Sequence, residues 1–423
     1  MSSDDGSSGN WLDQIEPAGT SSNSNGDENS IDESAPTSVE DVEERVIEHF
    51  DAQAWNVIEV ILSAHATHLI KGTSSCFGLV VEGPSGAGKT TCLRPFIGLD
   101  SQFYRSDDFT PASLVSQDSS RTDEELEEQD LLPRIRYKTV LNPDMANWFA
   151  GDWAERSKKM QVLVRVMDGE GYVRDAGTHG RRGYEGDYPF NFIGATTPLD
   201  RQAWKLMGHT GNRFLFHEMT STDDEEADIE AVFGAHEYEQ KVQEVREVVH
   251  ALLKELWETY GGVNSADCSN QPTRILQEHI GYLANLIRHA RAPIHDDGTA
   301  GFEDRKRVMG LLHNLARGHA LINGRQVLQK NDLQVCARVA LSTMPRERRP
   351  LVRALLRSNG SLRTRDVETL LNISKPTAVK RIELMNTLQI GNCSEDTVKG
   401  GKSKRITRNP DLDWPSDISM PDF

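Results

Sequence analysis

Eight consecutive residues, Gly83, Pro84, Ser85, Gly86, Ala87, Gly88, Lys89 and Thr90, match G-x-x-x-x-G-K-[ST] at every defined position. Glycines in this pattern let the backbone curl until several N–H groups converge on one phosphate, and the helix start that follows adds its positive dipole end. In such a loop Lys89 neutralises β- and γ-phosphate oxygens, the Thr90 hydroxyl ligates Mg²⁺, and Thr91 stands beside them. The implied ligand is ATP with Mg²⁺.

The metal also requires a carboxylate at the end of a neighbouring buried strand. Asp144, following the apolar run Tyr137 to Leu141 and Asn142-Pro143, is the best candidate, the alternative being an ordinary loop-capping Asp. The next residue is Met145, where a water-polarising Glu would be useful. Glu82, Asp107, Asp108 and Glu170 are the other carboxylates that could act as a base. With Asp107 or Asp108 in that role, the same loop could serve a small-molecule kinase.

A positioning scaffold can be read around these residues. Apolar spacing predicts a helix over Ala54–Ile70, closed by Gly72. A buried strand over Cys76–Val81 leads into the loop, and a helix follows from Lys89 to about Phe96. Gln117–Asp130 is polar and acidic, as an exposed insertion or solvated helix would be. Further strands are expected over Tyr137–Leu141, Phe190–Ala195 and Arg213–Phe216, with a helix over Trp153–Met167. The Gly- and charge-rich stretch Gly169–Gly186 reads as a projecting hairpin carrying Arg181 and Arg182, which either touch a DNA strand or form a solvated loop. After about Glu225 only helical periodicity remains: Val242–Tyr260, Arg274–Ala290, Arg305–Ile322 and Asp332–Ser342. The fold class is therefore α/β, a parallel sheet with helices on both faces followed by a helical lid and a small C-terminal domain. The expected division is an acidic tail over 1–49, the sheet domain over 50–222, the lid over 223–344, a basic module over 345–408 and a tail over 409–423.

Charge is distributed unevenly along the 423 residues, whose formal net charge is −18. Residues 1–49 carry 13 Asp or Glu against the single Arg45 and few large apolar groups, so this segment reads as an unfolded tail. No run is long enough to cross a bilayer, and no basic region followed by an apolar stretch opens the chain, so a cytoplasmic location is expected. Cys76, Cys92, Cys268, Cys336 and Cys393 are too scattered for a disulfide framework or zinc site. His65 and His68 share a helix face, which suits packing better than metal binding without a carboxylate or thiol nearby.

Between Arg346 and Arg408 the balance reverses, with 15 Lys or Arg against 6 acids. Helices are expected over Pro350–Arg357, Thr364–Leu371 and Ser374–Leu388. The short Asn372-Ile373 connection and a Ser374 N-cap give a helix-turn-helix. Its last helix would present Lys375, Thr377, Lys380 and Arg381 to a DNA groove, while Val379, Ile382, Leu384, Met385 and Leu388 face inward. Val398–Thr407 reads as two arms around Gly400-Gly401, with Lys399, Lys402, Lys404 and Arg405 able to pair with phosphates. This module resembles winged-helix domains, which either bind DNA or serve in assembly.

The order of phosphate loop, Asp-ending strand, Thr-ending strand, Gly-Asn-Arg-Phe segment and helical lid resembles AAA+ ATPases, especially phage- and plasmid-type members with an attached DNA-binding domain. The lid is similar to that of minichromosome-maintenance helicases. The resemblance covers Phe77 to the C-terminal region. It implies an ATPase acting on DNA as a helicase, loader or remodeller, assembled as a homo-oligomeric ring. It further implies that Thr196 or Thr197 senses the γ-phosphate, that Arg213 reaches a neighbouring subunit's ATP as an arginine finger, and that Arg291 is a lid arginine contacting nucleotide. The plain readings of the same residues are a helix cap before Pro198, an ion pair, and a cation at a helix end. A second reading of the whole chain is an ATP-gated transcription regulator or defence switch with little turnover.

Overall fold

In the computed structural model the described residues are 37–412, except 74–75, 117, 119, 150, 177–179, 211–212, 222–234, 359 and 399–400. The first part of the chain runs α1 (Val39–His49), α2 (Ala52–Ala66), β1 (Gly78–Glu82), α3 (Lys89–Leu93), β2 (Phe103–Arg105), α4 (Pro111–Leu114), α5 (Asp123–Gln129), α6 (Leu131–Ile135), β3 (Thr139–Asn142), α7 (Trp153–Val166), β4 (Gly171–Ala176), β5 (Gly180–Glu185), β6 (Asn191–Thr196), α8 (Arg201–Thr210) and β7 (Phe214–Glu218). The helical region follows as α9 (Ala235–Tyr260), α10 (Arg274–Ala290), α11 (Arg305–Ile322) and α12 (Asp332–Ser342). The C-terminal module comprises α13 (Arg349–Arg357), β8 (Ser361–Arg363), α14 (Thr364–Leu371), α15 (Lys375–Thr387), β9 (Gly391–Val398) and β10 (Gly401–Arg408).

The apolar runs become a five-stranded parallel sheet in the order β2-β3-β6-β1-β7. Successive side chains on a strand point to opposite faces, so each strand supplies two cores. Leu79 and Val81 of β1 join one cluster with α2 and α9–α12, while Val80 joins another with Phe192, Phe214 and residues of α6–α8. Burial on both faces is why these strands read as continuous apolar runs. The short edge strand β2 was invisible in the sequence because its three residues, buried, half-buried and exposed, present no run.

The acidic tail ends earlier than its composition suggests. Residues 39–49 form α1, with Ser38 and Asp41 making a capping box and Val39, Val42 and Val46 buried. Its acids lie mainly on the outer face, and an average over 49 residues hides that amphipathic stripe. Glu244 of α9 receives Arg45 at 3.1 Å and His49 at 2.6 Å. Residues 1–36 lie outside the described residues. The acidic stretch after Gln117 contains α5, which is capped by Thr122 and buries Leu126.

The expected hairpin is present as antiparallel β4 and β5, anchored by Arg182, which donates to the Ser116 carbonyl at 2.9 Å and to buried Asp130 at 3.2 Å. Arg181 pairs with Glu185 on the exposed side at 2.5 Å. His65 lies in the core, its ring nitrogens 2.7 Å from Thr139 Oγ1 and 3.0 Å from Gln102 Oε1. In the C-terminal module, Asn372 adopts the left-handed conformation between α14 and α15, and β8-β10-β9 form an antiparallel sheet. Among the described residues, no helix is long and apolar enough to cross a membrane.

Candidate functional site

The five parallel strands end together at one edge of the sheet, and the loop after β1 curls over that edge. Its first residue is stapled in place: Gly83 N donates to the Thr196 carbonyl at 3.1 Å, and Met219 N donates to the Glu82 carbonyl at 2.7 Å. Gly86 and Gly88 take φ values of +84° and +77°, which residues with a Cβ rarely adopt. The helix that follows is shorter than expected. Pro95 sits in a 3₁₀ turn, Arg94–Phe96, which replaces the helical continuation after Leu93.

A cavity of about 380 Å³ opens beside the loop, lined by Ser85, Gly86, Gly88, Lys89, Thr90 and Thr91 together with Pro143, Asp144, Ala195, Thr196 and Thr197. Three adjacent strand ends, those of β1, β6 and β3, therefore converge on one space, as ligand sites of open α/β sheets do. Lys89 Nζ donates to the Gly83 and Pro84 carbonyls at 2.8 and 2.5 Å. Partial burial lowers its pKa, and the field of Asp144 opposes that shift. Thr196 is buried and Thr197 exposed. Asp144 caps a 3₁₀ turn, its Oδ1 accepting from Ala146 N at 2.9 Å. The donor set fits a hard cation and a polyphosphate: a hydroxyl from Thr90, a carboxylate from Asp144 and an ammonium from Lys89.

Met145 is fully buried and points under the sheet, where a Cβ on Gly194 would come within 2.2 Å of its sulfur. The position after Asp144 is thus a core position. None of the four other carboxylates lines the cavity. Glu82 is buried; one oxygen accepts from Leu199 N at 2.8 Å and the other pairs with Arg349. Asp107 pairs with Arg105 at 3.3 Å, Asp108 is exposed, and Glu170 pairs with Arg165 at 3.3 Å. Asn142 donates to the Ser106 and Asp107 carbonyls at 2.8 and 2.9 Å, fixing the end of β2 against β3.

The structure does not bring Arg213 and Arg291 to the loop. Arg213 precedes β7 at the opposite end of the sheet and pairs with Asp168 at 2.6 Å. Arg291 is buried, paired with Glu303, and donates to the Phe214 carbonyl at 3.4 Å. In the C-terminal module Lys375, Thr377 and Lys380 are exposed at the start of α15, and Arg381 is half-buried. Lys404 pairs with Glu383, and Arg405 donates to Ser361 Oγ at 3.3 Å. The side chain of Lys402, and Lys399 entirely, lie outside the described residues.

Three residues near the loop escaped the sequence reading. Tyr238, in the first turns of α9, shares a hydrogen bond of 2.8 Å with the Thr91 hydroxyl. Arg349 and Arg353 of α13 reach the sheet edge behind the loop. Arg349 bridges Glu82 and Glu218, the latter at 2.9 Å, and Arg353 donates to Glu218 at 2.7 Å. Burial would raise the Glu218 pKa, but the two guanidiniums hold it below the usual carboxylate value. Glu82, Gly83 and Pro84 share a cavity of about 240 Å³ with Glu218, Arg346 and Arg349. The available signal was the acids ending two buried strands, which demand a buried cation.

Sheet order, loop and flanking helices define the fold of a P-loop NTPase. No protein-family model matches the chain, and comparison with curated proteins finds no match. Among solved structures, a chain from Cytophaga hutchinsonii assigned as an ATPase is similar at 14% identity and a TM-score of 0.37, covering 72% of this chain and 87% of that one. The ligand-free C-terminal region of NrS-1 is similar at 11% identity and a TM-score of 0.27, covering 88% and 77%. Likenesses this remote carry no weight for activity.

Proposed function

We propose that the chain binds ATP with Mg²⁺ in the loop cavity and hydrolyses it, acting on DNA as an AAA+ ATPase of helicase, loader or remodeller type. The observation that carries this reading is the convergence of Lys89, Thr90, Asp144, Thr196 and Thr197 on one cavity from three strand ends. The loop amides and Lys89 bind the phosphates, while Thr196 or Thr197 meets the γ-phosphate end. Mg²⁺, held by Thr90 and Asp144, would neutralise the charge of the β- and γ-oxygens. Arg213 faces away from its own loop cavity, as a residue serving a neighbouring subunit must, and that service requires its release from Asp168. The exposed Lys375, Thr377 and Lys380 at the start of α15, next to the left-handed Asn372, support DNA binding by a winged helix.

A second reading is favoured by one observation: Met145 is a core residue and, among the described residues, no further carboxylate lines the cavity. Under that reading ATP occupancy switches DNA binding and turnover is incidental. Steady-state phosphate release separates the two, since a motor is stimulated by duplex DNA and a switch is not. In either case Lys89→Ala should reduce nucleotide-dependent activity by roughly 10²–10³-fold. If ATP binding and turnover survive that substitution unchanged, the loop assignment is wrong.

A further inference from the structure

The strand that feeds the phosphate loop ends on a carboxylate with two different partners. Glu82 stands in register with Thr196 of β6 on one side and Glu218 of β7 on the other. It is buried, and its oxygens are divided: Oε1 accepts from Leu199 N at 2.8 Å, and Oε2 pairs with Arg349 of α13. Leu199 follows Thr197 by two residues, with Pro198 between them. The fixed φ of a proline leaves little slack between its neighbours, so a displacement of Thr197 reaches the Leu199 amide.

The same two segments face two cavities. Ser85, Gly86, Thr196 and Thr197 line the loop cavity, while Gly83, Pro84 and Pro198 line the cavity of about 240 Å³ behind it, beside Glu82 and Arg349. Every nitrogen of the Arg349 guanidinium is engaged: Nε donates to the Met344 carbonyl at 2.9 Å, Nη1 pairs with Glu218 at 2.9 Å and Nη2 pairs with Glu82. One turn further along α13, Arg353 donates to Glu218 at 2.7 Å. The helix is thus held at two points against the ends of β1 and β7. On α13, Leu351, Val352 and Leu355 pack with Val367, Ala378, Ile382 and Met385 of the C-terminal module. Close packing of this kind makes the module follow the helix. Neutralising Glu82 would need only the guanidinium. Its second oxygen, spent on the exit of the Thr-ending strand, gives the residue a further task.

We propose that Glu82 is a positioning residue that couples the Thr196–Thr197 segment to α13, so that the γ-phosphate end of the loop cavity and the C-terminal module bias one another. The coupling rests on ATP occupying the loop cavity. A γ-phosphate that draws in Thr197 re-aims the Leu199 amide, the Glu82 carboxyl follows, and the guanidinium that holds α13 follows in turn. ADP lacks the differential contact and leaves α13 where it is.

The test is hydrogen–deuterium exchange of the full chain with Mg²⁺ and either ADP or a non-hydrolysable ATP analogue, followed over residues 83–97 and over α13. In the unmodified chain, exchange over α13 should differ about fivefold between the two nucleotides. Glu82→Gln keeps an acceptor for Leu199 and gives up the charge facing Arg349, so it should erase that difference while nucleotide still protects residues 83–97. Arg349→Lys, whose single ammonium does not reproduce the fork, should do the same and keeps the test decisive if Glu82→Gln fails to fold. An undiminished α13 difference in both variants overturns the coupling. So does a rise in exchange that is the same with either nucleotide and leaves their difference intact, which would make Glu82 a structural residue only. Protection over residues 83–97 without any α13 difference in the unmodified chain overturns the coupling and leaves the loop assignment standing. No protection over residues 83–97 with either nucleotide refutes the loop assignment, and the coupling with it.

Discussion

The loop cavity and the cavity behind it, about 380 and 240 Å³, are assembled in opposite ways. The first is dominated by neighbours in sequence, Ser85 to Thr91, with two short additions from strand ends. The second joins the ends of β1 and β7 to Pro198 and to Arg346 and Arg349, residues far apart along the chain. Backbone amides and one ammonium equip the first, whereas carboxylates and guanidiniums equip the second. A contiguous loop carries its chemistry in its spacing; a junction acquires chemistry only when the fold closes. Buried Glu82 and Arg349, with half-buried Glu218 and Arg353, tie the strand feeding the loop to the helix opening the C-terminal module.

The hardest way to break this arrangement is to remove its shared cation. Arg349→Met should leave buried Glu82 and half-buried Glu218 without their common partner and cost about 3–5 kcal/mol, read as a lower denaturant midpoint. A loss below about 1 kcal/mol would mean that the two regions are not joined through Arg349. The next largest effect concerns the loop side alone. Met145→Glu places a carboxylate where a water-polarising Glu would be useful, but the site is in the core, so stability should fall by on the order of 3 kcal/mol with no gain in turnover. Faster phosphate release from that variant would show that position 145 can reach the cavity.

How much could be read beforehand follows the same division. The loop, the strands β1, β3 and β6, the hairpin and the helices α10, α11 and α12 were legible because local periodicity and turn residues specify them. The helix α1 was not, because Val39, Val42 and Val46 are diluted among acids and declare themselves only against α9. The basic excess after Arg346 suggested a DNA surface, yet Arg348, Arg349, Arg353 and Arg408 are taken up inside the protein by carbonyls and carboxylates. Charge counts cannot distinguish a solvated guanidinium from a buried one. Arg291 stood at a helix end as a lid arginine would, but its Glu303 partner and the Phe214 carbonyl hold it away from the loop.

Acid should expose the buried side of the molecule gradually. Burial holds His217, next to Glu218 on β7, and His68 at about 4, below the ordinary 6.5. Between those values the unfolded chain binds more protons than the folded one. The stability gained by keeping both neutral is complete above about 6.5 and is lost as pH falls through about 4, with a slope of up to about 1.4 kcal/mol per pH unit for each histidine. Urea midpoints measured across this window should fall with acidification. A flat profile would show that these rings are hydrated in the folded protein.

The smallest effect decides what Thr91 does. It lines the loop cavity, as a nucleotide contact should, but its hydroxyl is already engaged with Tyr238, whose ring lies under the Arg94 guanidinium at 5.4 Å. A hydroxyl serving as a strut between α3 and α9 affects stability, and one serving the ligand affects affinity. Thr91→Val preserves shape and removes the hydrogen bond, so a strut predicts a loss of about 1 kcal/mol with an unchanged KM for ATP. Tyr238→Phe should cost a similar amount, and the double variant should cost little more than either, since both remove one interaction. A raised KM in Thr91→Val that Tyr238→Phe does not reproduce would place the hydroxyl on the nucleotide, extending the loop site by one residue beyond its motif.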